Sequence, residues 1–186
     1  MGRIVFVTGG ARSGKSSHAE QLAAALGSEI VYIATARAGD SEMAERIARH
    51  RLQRPAAWKT VEEPLCPSAV VEREGGRCTA LLLDCLTVLI TNRMLALSVD
   101  WDNADSATLN AVEEHVLVEI KALIRAATAA SADLIAVGNE VGCGIVPVSP
   151  LSRLFRDCAG RVNQQVAAAA AEVWLVAAGI PLRIKG

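Results

Sequence analysis

Apolar and polar positions along the chain follow two alternating patterns. Short runs such as 3–8 and 29–35 are almost wholly apolar and rich in β-branched residues, which is typical of buried strands. Longer segments between them repeat apolar residues three and four positions apart, which predicts helices. The predicted strands are 3–8, 29–35, 57–63 (the weakest), 79–87, 133–142 and one or two within 172–186. The predicted helices are 13–27, 40–52, 86–97, about 107–130 and 149–171.

The segment 63–77 follows neither pattern. It contains Pro64, Pro67 and a Gly75–Gly76 pair, and it is predicted to be a loop. Elsewhere strands alternate with helices long enough for right-handed crossovers, which favours a parallel arrangement of most strands. With 186 residues and no repeat or linker, the chain is predicted to be a single domain over 1–186. The expected class is α/β, a three-layer fold with a mainly parallel sheet flanked by helices.

Composition narrows the possible functions. Lysine and arginine (19) nearly balance aspartate and glutamate (20), so no overall field attracts nucleic acid or anionic lipid. Five cysteines form no Cys-x-x-Cys pair, which favours reduced thiols over a disulfide framework or a zinc ribbon. No stretch approaches the roughly 18 apolar residues that a membrane span needs. We therefore expect a cytoplasmic protein without nucleic-acid partners and without a membrane span.

The segment GGARSGKS, residues 9–16, matches the pattern G-x-x-x-x-G-K-[ST] between a predicted strand and a predicted helix. In that setting glycines let backbone N–H groups turn toward phosphate oxygens, and the helix points its positive end at them. Lys15 supplies a charge for the β- and γ-phosphates, and the Ser16 hydroxyl is a ligand for Mg²⁺. The fold is therefore predicted to be P-loop NTPase-like, and the ligand to be a nucleoside triphosphate.

Two carboxylates end predicted strands near this segment. A P-loop site needs such a group to manage the metal, and Asp84 follows four apolar residues. The alternative for Asp84 is the N-cap of the next helix. Glu140 faces the same crevice, either as a site residue or as an acid that anchors its own loop. The NEVG segment at 139–142 is not the N-K-x-D pattern that reads guanine in switch GTPases.

One histidine lies among several arginines in the predicted helix 40–52. On a helix, Arg46 and His50 are one turn apart, and Arg49 and Arg51 flank the imidazole. Nearby cations keep a histidine neutral, and a neutral imidazole can act as a nucleophile while the arginines hold phosphate. From spacing alone, a solvated basic face with an incidental histidine is the more common explanation. The other histidines, at 18 and 115, lack this cationic setting and are predicted to be surface or packing residues.

Six segments together resemble a known family: GGARSGKS, YIATAR, EMAERIARHRLQRP, LLLDCLT, NEVGCGIVP and FRDCAGRVNQQVAAAAAEVWLVAAGIP. The family is that of the bifunctional adenosylcobinamide kinase and adenosylcobinamide-phosphate guanylyltransferase. The resemblance covers nearly the whole chain. The P-loop is its least specific motif, and the histidine segment and NEVGCGIVP are the most diagnostic.

The resemblance implies two steps of cobalamin (B12) biosynthesis. A nucleoside triphosphate, ATP or GTP, phosphorylates the hydroxyl of adenosylcobinamide. GTP then gives GMP to a histidine, and adenosylcobinamide phosphate displaces that histidine to give adenosylcobinamide-GDP. Mg²⁺ is the implied cofactor, and a homotrimer is the implied assembly. Where the corrinoid binds is left open, with GCGIVP at 142–147 as a candidate.

The resemblance also implies the residues that act. His50 is the guanylylated histidine, with Lys15 and Asp84 as further catalytic residues, and Ser16 and Asp84 hold the metal. Glu62 is the expected nucleotide contact, although Glu63 follows it and a slip of one residue would exchange them. The implied nucleotide-binding residues are Gly9, Gly10, Ala11, Arg12, Ser13, Gly14, Lys15, Ser16, Thr35, Ala36, Arg37, Arg51, Leu52, Gln53, Arg54, Glu62 and Asp84.

Two other functions compete with this prediction. The chain could be a different P-loop kinase for small molecules, with His50 a surface residue that never reacts. It could also be a switch protein that changes partners on GTP hydrolysis, although no segment has the features of a γ-phosphate sensor. An adduct between GMP and the protein distinguishes the family's activity from both alternatives.

Overall fold

Residues 1–37, 45 and 55–186 are described by the structure, a computed structural model. The strands are β1 Ile4–Gly9, β2 Ile30–Ala34, β3 Lys59–Glu62, β4 Ala80–Asp84, β5 Asp133–Asn139, β6 Glu172–Ala177 and β7 Ile180–Lys185. The helices are α1 Lys15–Leu26, α2 Pro67–Glu74, α3 Leu86–Leu95, α4 Ser106–Ala129 and α5 Pro150–Ala169. The predicted helix 40–52 lies, apart from Glu45, outside the described residues.

All seven strands join one sheet in the order β3-β2-β4-β5-β1-β6-β7. Every neighbouring pair is parallel except β6 and β7, which are antiparallel. Parallel pairing brings the carboxyl ends of the strands to one edge of the sheet. At that edge Gly9 is opposite Asn139, and Ala34 is opposite both Glu62 and Asp84. The predicted mainly parallel sheet is confirmed, and Gly9, Glu62 and Asp84 of the predicted site residues lie at its carboxyl edge.

Buried apolar side chains cover both faces of the sheet. Alternate residues of β1 separate the two layers: Phe6 packs toward α2, α3, α4 and α5, whereas Val7 packs toward α1. The α1 side is lined by the small side chains of Ala19 and Ala23, which let the helix approach the strands closely. With helices on both faces, the predicted three-layer α/β class is confirmed.

The prediction of a loop over 63–77 is wrong for its central part, because α2 occupies Pro67–Glu74. Proline at the first helical position costs no hydrogen bond, since that N–H has no partner within a helix. The helix is held from outside: the Ser68 N–H donates to Glu119 Oε1 of α4 at 2.9 Å, and Val70 and Val71 are fully buried. Tertiary contacts therefore make a helix of a segment whose prolines indicated a loop.

No helix among the described residues is long and apolar enough to cross a membrane.

Candidate active site

The GGARSGKS segment forms a tight loop between β1 and α1. Gly9 is the last residue of β1, and α1 begins at Lys15. Two residues of the loop have a left-handed backbone, Gly14 with φ +95° and Arg12 with φ +56°. The Lys15 side chain is buried, and its Nζ donates to the Gly10 carbonyl oxygen at 3.2 Å. The strand, loop and helix required by a phosphate-binding P-loop are all present.

The turn between β6 and β7 packs directly on this loop. The Gly179 N–H donates to the Ser13 carbonyl oxygen at 2.8 Å. A Cβ on Gly9 would lie 2.3 Å from the Val176 carbonyl oxygen, and one on Gly14 would lie 3.2 Å from Gly179 Cα. Glycine is therefore required at both positions of the loop for its fit against the last hairpin, in addition to any approach of a ligand.

Asp84 lies at the carboxyl end of β4, and its surroundings hold its position. The Tyr32 hydroxyl donates to Asp84 Oδ2 at 2.8 Å. Cys85, the residue after Asp84, is linked to the end of β2 by Thr35. The Thr35 Oγ1 donates to the Cys85 carbonyl oxygen and accepts from the Cys85 N–H. The N-cap of α3 is Cys85, and no side chain caps that helix. The alternative of an N-cap role for Asp84 is therefore wrong.

Lys15, at the start of α1, and Asp84, at the end of β4, both affect the pKa of Cys85. Burial is the main cause that raises the pKa of the Cys85 thiol to about 11. The negative charge of Asp84 raises this pKa further, whereas the positive charge of Lys15 lowers it. Both charged groups are therefore near enough to the Cys85 thiol to change its pKa.

The structure distinguishes the two adjacent glutamates at the end of β3. Glu63 Oε1 accepts hydrogen bonds from the N–H groups of Leu65 and Cys66 at 3.0 and 2.9 Å, so it holds the turn that leads into α2. Glu62 is exposed at the end of β3, opposite Ala34. Glu63 therefore has a structural role, and the nucleotide contact predicted for Glu62 stays a prediction.

Glu140 anchors its own loop. Its N–H donates to the Gly9 carbonyl oxygen at 3.0 Å, and its Oε1 accepts from the Gly142 N–H at 2.5 Å. Of the two roles considered for this residue, the loop-anchoring contact is the one observed. The bond from the Glu140 N–H to Gly9 also connects the segment after β5 to the first residue of the P-loop.

Asn139 was not singled out from the sequence. Its N–H donates to Thr87 Oγ1 at 2.7 Å, and its carbonyl oxygen accepts from Asn163 Nδ2 at 3.1 Å. Its side-chain Oδ1 is buried and has no hydrogen-bond partner among the described residues. The residue ends β5, which lies between the P-loop strand β1 and the Asp84 strand β4. A buried acceptor without a partner at this place suits a ligand that donates a hydrogen bond.

The remaining predicted residues fall into two groups. Thr35 is fully buried, and Arg37 is exposed just beyond it at the same edge of the sheet. Ala36 lies between them and is half-buried, as is Ser16 in the first turn of α1. The other predicted site residues lie outside the described residues: His50, Arg51, Leu52, Gln53 and Arg54.

The two histidines predicted to be packing or surface residues have packing contacts. His18 lies edge-on to Trp174, with ring centroids 4.8 Å apart, and burial lowers its pKa. The carbonyl oxygen of His115 accepts from two guanidinium nitrogens of Arg93. Burial, followed by the charge of Arg93, lowers the pKa of His115. Both residues are partly buried within the fold.

Fold and site together define a P-loop nucleotide-binding protein, with a lysine and a carboxylate at the carboxyl edge of a parallel sheet. A family model described as cobinamide kinase / cobinamide phosphate guanyltransferase matches residues 5–184. The chain belongs to this family, and the kinase and guanylyltransferase class predicted from the sequence is confirmed.

Curated relatives agree over almost their full length. The chain is 47% identical to the bifunctional adenosylcobalamin biosynthesis protein CobU of Escherichia coli K12, over 98% of this chain and 99% of that protein. It is 45% identical to CobU of Salmonella typhimurium and 44% identical to CobP of Pseudomonas aeruginosa, with 96% or more of every chain covered. These matches support a role in cobalamin biosynthesis.

Among solved structures, the chain is similar to the flagellar accessory protein FlaH of Methanocaldococcus jannaschii. The TM-score is 0.45 and the sequence identity 13%, over 93% of this chain and 70% of that one.

Proposed function

We propose that this protein phosphorylates adenosylcobinamide and then transfers GMP from GTP to the product through a guanylylated His50. The observation that carries the proposal is a formed P-loop at the same edge of the sheet as Asp84, in a chain of this family. Both activities require a site that holds a nucleoside triphosphate, because in each reaction a nucleophile attacks one of its phosphorus atoms. One cradle is therefore able to serve both.

In the kinase step the substrate hydroxyl oxygen attacks the γ-phosphorus of ATP or GTP. A new O–P bond forms, the bond from the γ-phosphorus to the bridging oxygen breaks, and the hydroxyl proton leaves. The product is adenosylcobinamide phosphate, and the leaving group is a nucleoside diphosphate. Lys15 and the N–H groups of the P-loop would hold the phosphates and offset the charge on the leaving oxygens.

In the second reaction a ring nitrogen of His50 attacks the α-phosphorus of GTP. A P–N bond forms, the α–β bridging bond breaks, and pyrophosphate leaves. A phosphate oxygen of adenosylcobinamide phosphate then attacks the same phosphorus and displaces the histidine, which gives adenosylcobinamide-GDP. The arginines adjacent to His50 in the sequence support this role, because cations favour the neutral, nucleophilic imidazole and bind phosphate.

The residues present fit a magnesium ion. Ser16 and Asp84 offer a hydroxyl and a carboxylate, and both are the oxygen ligands that Mg²⁺ prefers. Two protein ligands are enough for Mg²⁺ in a P-loop site, because phosphates and water complete its shell. Bound there, the metal would neutralise phosphate charge.

Labelling with GTP that carries ³²P at the α-phosphate tests the guanylylated histidine. We expect a protein-bound label that is stable in base and labile in acid, as a P–N bond requires. The label should be lost in His50→Ala and retained in His115→Ala, which serves as the matched control. A second assay with γ-labelled ATP measures the phosphorylation of adenosylcobinamide. Phosphorylation without any adduct would favour the simpler P-loop kinase, and an adduct in His50→Ala would assign the chemistry to another residue.

We also propose a homotrimer in the cytoplasm. An apolar strip on the last two strands supports self-association: Leu175, Ile180, Leu182 and Ile184 are exposed, and the first three are on one face because Leu175 is paired with Leu182. All five cysteines are free thiols, which suits a reducing compartment. Light scattering coupled to size-exclusion chromatography measures the assembly. A monomeric mass at micromolar concentration would contradict the trimer.

A further inference from the structure

Large apolar side chains are exposed in the segment that joins β5 to α5. Ile145 is 95% exposed, Val148 94% and Val146 58%. No charged residue occurs from 141 to 152, and the nearest charges along the chain are Glu140 and Arg153 at its two ends. A local group of exposed apolar residues without charges marks a binding surface, because scattered single residues are the usual pattern elsewhere.

Contacts at both ends hold this segment to the body of the protein. At its start the Glu140 N–H is bonded to the Gly9 carbonyl oxygen, and the Glu140 carboxylate is bonded to the Gly142 N–H. At its end Arg153 Nη1 donates to the carbonyl oxygens of Pro147 and Val148. The apolar side chains therefore extend from an anchored loop into solvent.

A cavity of about 220 Å³ lies between α3 and α5, where α5 begins. Four of its six lining side chains are apolar, and one of them, Leu95, is also among the exposed large apolar residues. The cavity is lined by Thr91, Met94, Leu95, Leu151, Ser152 and Phe155. Leu151 follows Val148 by three residues, so loop and cavity adjoin. We call them together the apolar surface: Ile145, Val146, Val148 and the cavity residues.

We propose that the apolar surface binds the corrin macrocycle of cobinamide, the substrate class of this family. This inference rests on the proposed function. The hydroxyl that is phosphorylated must reach the γ-phosphate, and a short aminopropanol arm connects it to the macrocycle. The macrocycle must therefore lie beside the P-loop. The apolar loop begins there, since Glu140 is bonded to the first P-loop residue, Gly9.

The chemistry of the ligand matches this surface. A corrin ring presents apolar surface and neutral amide groups on its rim, so apolar contact contributes to its recognition. Exposed valine and isoleucine side chains would lose contact with water on binding, which is favourable in proportion to the apolar area covered. The phosphates, in contrast, would be bound by the adjacent P-loop and its Lys15.

The exposed strip on β6 and β7 fits this ligand less well. Its residues follow the last strand in the sheet order along its length, from Ile180 to Ile184. A row of apolar residues along an edge strand suits a protein surface, and we assigned it to contact between copies of the chain. The loop surface is distinct from this strip, because the loop follows β5 and β1 lies between β5 and β6 in the sheet.

Substitution of two exposed residues tests the inference with little risk to folding. The double variant Ile145→Ser with Val148→Ser removes apolar area that makes little contact with the protein. We expect its KM for adenosylcobinamide in the kinase assay to rise about tenfold or more, with the KM for ATP unchanged. The conservative variant Ile145→Leu should keep the normal KM. Val118→Ser, at a similarly apolar exposed position on α4, is the matched control and should change neither value.

A second measurement needs no variant. Cys143 lies in the segment that joins β5 to α5, and Cys66 is an exposed cysteine in the segment between β3 and α2. Adenosylcobinamide should slow the alkylation of Cys143 relative to that of Cys66, as followed by mass spectrometry of the peptides. Equal alkylation of both cysteines with and without the corrinoid would overturn the proposal.

The outcomes separate this inference from the proposed function. Guanylylation of His50 needs only GTP, so the double variant should form the adduct as the unmodified protein does. An adduct with an unchanged KM for adenosylcobinamide would overturn the inference and leave the proposed function intact. The absence of any adduct in the unmodified protein would instead contradict the proposed function. Dissociation of an oligomer by the double variant would assign the surface to contact between copies and overturn the inference.

Discussion

The hydroxyl of Tyr32 and the carboxylate of Asp84 are hydrogen-bonded across β2 and β4, at 2.8 Å. Tyr32 is the only tyrosine of the chain, and its ring is buried on the α1 side of the sheet. The bond connects the core to the carboxyl edge, since the ring is fixed by packing and the hydroxyl reaches the carboxylate that borders the P-loop. The position of Asp84 therefore depends on the packing of the core.

Tyr32→Phe removes the hydrogen bond that positions the Asp84 carboxylate but keeps the carboxylate itself. The ring still fills its space, so we expect a loss of about 1–2 kcal/mol in the free energy of unfolding. The kcat of the kinase step should fall about three- to tenfold, because a carboxylate without its donor is less well oriented. Asp84→Asn is the comparison and should lower kcat by about a hundredfold or more. Equal kcat values for Tyr32→Phe and the unmodified protein would show that the bond does not orient the site.

Gly14→Ala should disturb the P-loop even without nucleotide. An alanine at φ +95° is strained by about 1–3 kcal/mol, and its Cβ would lie 3.2 Å from Gly179 Cα. We expect a lower melting temperature together with weaker ATP binding in calorimetry. Gly76→Ala is the control, since no heavy atom lies within 4 Å of a Cβ there. If both variants melted at the same temperature, the tight fit between loop and hairpin would be disproved.

Asn139→Ala should lower activity without lowering stability. The buried Oδ1 has no partner among the described residues, and such a group costs about 1–3 kcal/mol. Its removal is expected to leave the melting temperature unchanged or raised, while kcat falls about tenfold as a hydrogen-bond acceptor is lost. Asn163→Ala is the structural counterpart, because it removes the donor to the Asn139 carbonyl oxygen and should lower stability. A variant at 139 that is fully active would leave the buried oxygen without a catalytic role.

The stability of the protein should depend on pH through His18. Burial lowers the pKa of this imidazole below its ordinary 6.5, so below that pH the unfolded chain binds more protons than the folded one. Stability should therefore fall as the pH is lowered from 7.5 through 6.5 and on toward 5. His18→Phe retains an aromatic contact with Trp174 and should show a smaller loss in urea unfolding. His115, whose pKa is also lowered, remains in both proteins and accounts for part of the dependence. Identical pH profiles for the two proteins would contradict the assignment to His18.

Much of the fold follows from local pattern. The central strands are continuous apolar runs, and α5 begins where Ser149 and Pro150 indicated, with Ser149 as its N-cap. The segment of α2 cannot be assigned from the sequence, because a proline such as Pro67 suits both a loop and the first turn of a helix. Only the contacts of α2 with α4 decide between the two. Sequence patterns of this length cannot include a partner as distant in the chain as Glu119.

The site divides in the same way. The P-loop was predicted because its glycines, lysine and serine are contiguous in the sequence. The sequence does not indicate the structural role of Glu63 or the buried oxygen of Asn139, because both depend on which groups the fold brings within hydrogen-bond distance. An asparagine after an apolar strand is common, and nothing in its neighbours indicates a buried oxygen without a partner.

The pairing of β1 has a consequence for how the protein is made. Ile4 is opposite Leu134 and Val5 is opposite Glu172, so β1 is synthesised well before either of its partner strands. The Ser13 carbonyl oxygen accepts a hydrogen bond from the Gly179 N–H, which is synthesised later still. Until β5 and β6 have been synthesised, the nascent chain carries an apolar strand without neighbours, which exposes it to aggregation.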